Sequence, residues 1–147
     1  MSRALKYCLN PAAIAVGAKF SIPNWGDSGY DLYACEPVTL FSNEQKLVPT
    51  GLRLEIPPGY VGLVKDRSSL ALKSLYVHAG VIDPSYRGEV QVLMENRGEV
   101  NYHIEPGQRV AQILFLSCKS VLVPKLVEKD ELSVTARGDG AFGSTGV

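Results

Sequence analysis

Cysteine and histidine are scarce in this chain, three and two among 147 residues. Cys8, Cys35 and Cys118 lie far apart, no C-x-x-C pair occurs, and His78 and His103 cannot complete a ligand set with them, so the spacing argues against a zinc site. The thiols read instead as small buried or half-buried side chains in a reducing compartment. Neither sign of charge is in excess, since Lys+Arg and Asp+Glu both number 15. A protein that grips nucleic acid through its phosphates carries a basic surplus, so general nucleic-acid binding is set aside and any anion site must be local. No apolar run approaches the ~18 residues that span a membrane. Ala12 to Ala18 resembles the small-residue end of a leader, but Asn10-Pro11 interrupts what precedes it. The expectation is a soluble, intracellular, cytoplasmic protein with no membrane partner.

What is present suits one domain with a real core: 46% of residues are hydrophobic and 20% charged. Alternation with period two dominates. Leu52, Leu54 and Ile56 alternate with Arg53 and Glu55, Val90, Val92 and Met94 with Gln91, Leu93 and Glu95, and Val100, Tyr102 and Ile104 form a third set. Tyr60–Lys65 reads as a further strand. Val110–Leu116, apolar on both faces apart from Gln112, reads as a central strand covered on both sides. Turn signals punctuate the chain at Pro49-Thr50-Gly51, Pro57-Pro58-Gly59, Arg97-Gly98 and Pro106-Gly107. One short helix is predicted, from about Ser68 to Ser74. These patterns give an all-β fold, a barrel or double-sheet jelly roll, over 1–132. Residues 133–147 differ in kind, being small, polar and Gly-rich; such an arm is either disordered or ordered over a ligand.

Several segments carry candidate chemistry. The arm holds a formal G-x-G-x-x-G at Gly138, Gly140 and Gly143, but no helix can follow it, so the dinucleotide reading fails. Its glycines allow backbone N–H groups to converge on an anion; Arg137, Ser144 and Thr145 add donors, and Phe142 is suited to stacking on a planar base. The alternative is a flexible tail with one chance aromatic. Arg67-Ser68-Ser69 opens the helical turn, where the serines either cap it or join Arg67 at an anion site. In Gly80–Glu89, Asp83-Pro84 signals a tight hairpin; Asp83 is either an Asx-turn residue or a carboxylate at a pocket lip able to take a proton from water. Tyr86 is either core filler or the floor of that pocket. Gln112, a lone amide in an apolar strand, must face a polar site, and Asp31 among aromatic neighbours poses the same question.

Together these segments resemble the five motifs of the trimeric dUTP diphosphatase (dUTPase) family, in order and spacing: Ser28–Ala34, Asp66–Ala71, Gly80–Glu89, Gly107–Ile113 and Arg137–Gly146. The resemblance implies a distorted jelly-roll-like β-barrel, a homotrimer with exchanged C-terminal arms, and shared active sites that hydrolyse dUTP to dUMP and diphosphate with Mg2+. It implies that Asp83 activates the attacking water and that Asp31 orders its surroundings. The backbone of Gly80, Val81 and Ile82, with Gln91, would read uracil, and Tyr86 would pack beneath the deoxyribose. Arg67, Ser68, Ser69 and Gln112 would contact phosphates. A neighbour's arm would bring Phe142 onto the base and Arg137, Gly143, Ser144 and Thr145 to the phosphates. The metal would be held by substrate phosphates and water, with no direct protein ligand.

Four positions depart from the family pattern: Asp66 where many members have Pro, Val77 in place of an Asn, His78 where small residues are usual, and Ala141 in place of a Gly. Two competing readings are a dCTP deaminase, which shares the fold but places a glutamate where Leu93 stands here, two residues before Glu95, and a non-catalytic β trimer.

Overall fold

The computed structural model describes residues 4–118 and 127–139. Ten strands and two short helices make up the described chain: β1 (Lys6–Leu9), α1 (Pro11–Ala15), β2 (Tyr30–Tyr33), β3 (Val38–Leu40), β4 (Glu44–Glu55), β5 (Tyr60–Lys65), α2 (Ser68–Ala71), β6 (Leu75–His78), β7 (Val81–Ile82), β8 (Glu89–Asn96), β9 (Tyr102–Ile104) and β10 (Arg109–Ser117). All described pairings are antiparallel. They form two four-stranded sheets, ordered β1-β4-β8-β6 and β2-β10-β5-β7, with a two-stranded ribbon of β3 and β9. Both sheets feed one core: Leu52, Leu54, Val90, Val92 and Met94 from the first join Leu32, Val64, Val110 and Ile113 from the second, with Leu40 and Ile104 from the ribbon. Alternation explains the faces, since β8 buries Val90, Val92, Met94 and Asn96 and leaves the residues between them at least partly open. The all-β, double-sheet expectation holds, with β10 central between β2 and β5.

Five expectations change. A second helix exists, because Asn10 accepts the Ala13 N–H at 2.8 Å and Pro11 occupies the first turn, where its missing N–H does no harm. Pro49-Thr50-Gly51 is no turn: it lies inside β4, where the ladder to β8 shifts register between Pro49 and Arg53 and Gly51 takes φ +68°. Val100 stays outside β9 and is exposed. The Asp83-Pro84 turn does not close a hairpin between its own arms, since β7 pairs with β5 while β8 pairs with β4 and β6. Of the thiols only Cys35 is buried; Cys8 and Cys118 are exposed. Burial, with Glu89 and Glu36 nearby, pushes the Cys35 thiol up and keeps it protonated.

Among the described residues no helix is long and apolar enough to cross a membrane. Phe142, Gly143, Ser144, Thr145 and Ala141 lie outside the described residues, whereas Arg137 is described and exposed.

Candidate active site

A polar cavity of about 320 Å3 opens between the segment before β2, the start of α2 and the first half of β10. Asp31, Arg67, Ser68, Ser69 and Gln112 line it, together with Asn24, Asp27 and Arg109. Sheet register brings the central pair together: Asp31 of β2 stands opposite Gln112 of β10, so both side chains leave the sheet on one face. Gln112 donates from Nε2 to the Asp66 carbonyl at 3.0 Å, as a half-buried amide must find a partner. Gly29 makes room for it, because a Cβ there would overlap the Gln112 side chain.

Asp31 sits between two arginines. Arg67 Nε lies 3.7 Å from Oδ1, and Arg109 Nη1 donates to Oδ2 at 3.3 Å. Each guanidinium has five N–H donors in a fixed fork, so most stay available to an anion. The helix start adds Ser68 and Ser69, both exposed, and neither is the cap: Arg67 occupies that position, without a side-chain capping bond. Two departures from the family pattern also meet here, as the Val77 N–H donates to Asp66 Oδ1 at 3.1 Å and ties α2 to β6.

Arg109 escaped the sequence reading although it lies inside a motif that was singled out. In an even strand it would face away from Gln112, three residues on. The register shift between Arg109 and Ala111 reverses that phase and turns both into the cavity. The signal available was its position just after the Pro106-Gly107 turn, where barrel strands tend to bulge.

The segment Gly80–Tyr86 does not line this cavity, nor does Gln91. β7 sits at the edge of its sheet, so one row of its N–H and C=O groups is left without a strand partner. Asp83 follows it, exposed, with a carboxylate that has no partner among the described residues; the Asx-turn alternative is not what forms. Its carbonyl accepts the Tyr86 N–H at 3.1 Å, and Arg87 Nη1 donates to the Pro84 carbonyl at 2.6 Å, which fixes the turn's backbone. Tyr86 is no core filler. Its hydroxyl donates to the Glu89 carbonyl at 2.9 Å, its ring folds over Gly88, where a Cβ would overlap it, and the side chain stays 45% exposed. Gln91 points out of β8 and is exposed.

A polar cavity lined by Arg67, Arg109, Ser68 and Ser69 on a double-sheet fold has the donors to bind an anion such as a phosphate. The dUTPase family model matches residues 19–146. The deoxyuridine 5'-triphosphate nucleotidohydrolase of Clostridium kluyveri is 42% identical over 124 residues, covering 82% of this chain and 85% of the relative. Among solved structures, a mutant Staphylococcus bacteriophage 80alpha dUTPase with dUpNHpp superposes with a TM-score of 0.86 at 28% identity, covering 99% of this chain and 100% of that one. A mutant dUTPase of phage phi11 of S. aureus, whose structure shows a coordinated structural Mg(II) ion, shares the fold at TM-score 0.75 and 24% identity, over 87% and 97% of the two chains. The chain belongs to the dUTPase family and hydrolyses dUTP. Glu95, the nearest counterpart of the deaminase glutamate, has its carboxylate taken by His78 and Arg97.

Proposed function

We propose that a water deprotonated by Asp83 attacks the α-phosphorus of dUTP, releasing dUMP and diphosphate. The observation that carries this reading is the unengaged Asp83 carboxylate at the end of an open-edged strand, on a chain whose phosphate cavity it does not line. A general base must accept a proton, so a carboxylate free of ion pairs is suited to the role. The open edge of β7, from Gly80 through Val81 and Ile82, offers uracil a fixed row of donors and acceptors, and Gln91 adds an amide. Cytosine inverts part of that pattern and would leave buried groups unpaired, a mismatch worth up to ~10⁴ in specificity. Tyr86, clamped by its hydroxyl, forms a floor under the sugar and excludes a 2′-hydroxyl. Arg67, Arg109, Ser68, Ser69 and Gln112 bind phosphates, while Asp31 keeps the two arginines aimed and orders water near them.

Because base segment and phosphate cavity do not merge within one chain, the working site combines the base segment of one copy with the phosphate cavity of another, as in a homotrimer. The arm, through Arg137 and the Phe142 to Thr145 stretch, closes over the substrate and excludes water. Mg2+ would reach this site with the triphosphate, whose oxygens and bound water it prefers as ligands. Among the described residues no cluster of three or more His, Cys, Asp or Glu could hold a metal, and Mg2+ prefers phosphate oxygens and water. Bound there, it would neutralise phosphate charge.

Diphosphate release from dUTP, dTTP, dCTP and UTP with Mg2+ tests the reading, with ammonia release from dCTP as the deaminase control. Turnover confined to dUTP is expected; an assembled protein that leaves dUTP intact overturns it. Mixing an Asp83→Asn chain with one lacking residues 133–147 tests site sharing, and recovery of activity after subunit exchange is expected.

A further inference from the structure

His78 is the last residue of β6 and stands where the chain leaves one sheet for the other. β6 pairs with β8, whereas β7, three residues on, pairs with β5 in the second sheet. Ala79 and Gly80 make the crossing, and both are left-handed, with φ +57° and +98°. At Gly80 no other residue fits, because a Cβ would lie 2.7 Å from the Val64 carbonyl oxygen. Ala79 carries a side chain in a backbone region that disfavours one. A strained crossing keeps its course only when it is held at both ends. Downstream the Val64 N–H donates to the Gly80 carbonyl at 2.8 Å, and β7 then joins β5.

The upstream end is held by His78. Its Nε2 meets Glu95 Oε2 at 2.5 Å, diagonally across the pair in which His78 faces Leu93 and Tyr76 faces Glu95. Glu95 is a firm anchor. It belongs to β8, which is flanked by β4 and β6, and Arg97 Nε donates to the same oxygen at 2.7 Å while lying over the Tyr76 ring. The contact with His78 is also the main reason the Glu95 carboxyl lies below its usual range. His78 itself is only half-buried, and buried Leu75 with the four-residue ladder to β8 keeps β6 in place without it.

We propose that His78 is a positioning residue for base recognition: by clamping the end of β6 to Glu95 it sets the course of Ala79–Gly80 and so the placement of Val81, Ile82 and Asp83. This rests on the assignment of that segment to the base and of Asp83 to the water. Base discrimination by backbone groups depends on placement to a fraction of an ångström, so loosening the clamp alters substrate selection more than folding.

The test compares His78→Ala, His78→Gln, Glu95→Ala and the His78→Ala/Glu95→Ala double variant in steady-state assays with dUTP and dCTP, alongside thermal melting. His78→Ala should raise KM for dUTP roughly ten-fold and reduce dUTP-over-dCTP preference, with a smaller fall in kcat and a nearly unchanged Tm. His78→Gln, whose amide N–H can still reach Glu95, should recover most of the loss. Glu95→Ala should match His78→Ala, and the double variant should be no worse than either. Unchanged KM and preference in His78→Ala, no recovery in His78→Gln, or a loss that simply follows Tm overturns the inference. Asp83→Asn separates the two levels. If it keeps turnover, the underlying site assignment falls; if it is dead while His78→Ala behaves as wild type, only the positioning role falls.

Discussion

In the polar cavity proposed for phosphate the polar groups are already in place: Asp31 sits between Arg67 and Arg109, and Gln112 is held by the Asp66 carbonyl. The base segment differs. It crosses between sheets on two left-handed residues, runs along a sheet edge for two residues, and ends in a carboxylate that no described residue engages. Phosphate is common to many ligands, so a preorganised charge array binds it with little rearrangement. Discrimination among bases and proton abstraction need groups left open, and their placement must then come from the backbone. On the proposed assignment the cavity would supply grip, and the crossing choice and chemistry.

Four substitutions sharpen that contrast, from largest to smallest. Asp83→Asn removes the base and leaves the grip, so turnover should fall by ~10³ or more while dUTP affinity, read by titration calorimetry, barely changes. Asp31→Asn unsettles the grip itself; freed from their shared carboxylate, Arg67 and Arg109 lose their aim, and kcat/KM should fall about 10- to 100-fold. Gly29→Ala drives a methyl into Gln112 and should raise KM about 10-fold with a stability loss of ~1–3 kcal/mol by denaturant melts. A selective loss of base preference in Gly29→Ala would break the division of labour. Glu95→Gln should have the smallest effect, visible in acid. His78 and Arg97 hold the folded carboxyl below its unfolded value, so this contribution is present above the ordinary carboxylate range and is lost as pH falls through the lowered folded value. The denaturation midpoint of the wild type should accordingly drop more than that of Glu95→Gln between about pH 6 and 3.

Much of the architecture was legible because alternation marks faces directly: strands form over 52–55, 60–65, 90–94 and 110–116, with Ile56 just past the end of β4, and the helical turn at Ser68 forms too. Asp31, Arg67, Ser68, Ser69 and Gln112, each singled out in the sequence, line one cavity. What stayed hidden depends on phase and on distance along the fold. Arg109 joins the cavity through a register shift that alternation does not reveal, and Pro49-Thr50-Gly51 imitates a turn while forming a bulge within one long strand. The partner of His78 could not be read either, since a diagonal contact between β6 and β8 depends on a pairing that the spacing of either strand leaves open.

The bulge in β4 reaches further than its size implies. Asn10 caps α1 and donates its own N–H to the Gly51 carbonyl at 2.9 Å, and the Gly51 N–H in turn meets Glu89 Oε1 at 2.7 Å, at the foot of the loop that carries Asp83. The tenth residue is thereby linked to a loop more than seventy positions later. For protein engineers, trimming past Asn10 removes β1 and the α1 cap together with that contact, so it should cost folding as well as turnover.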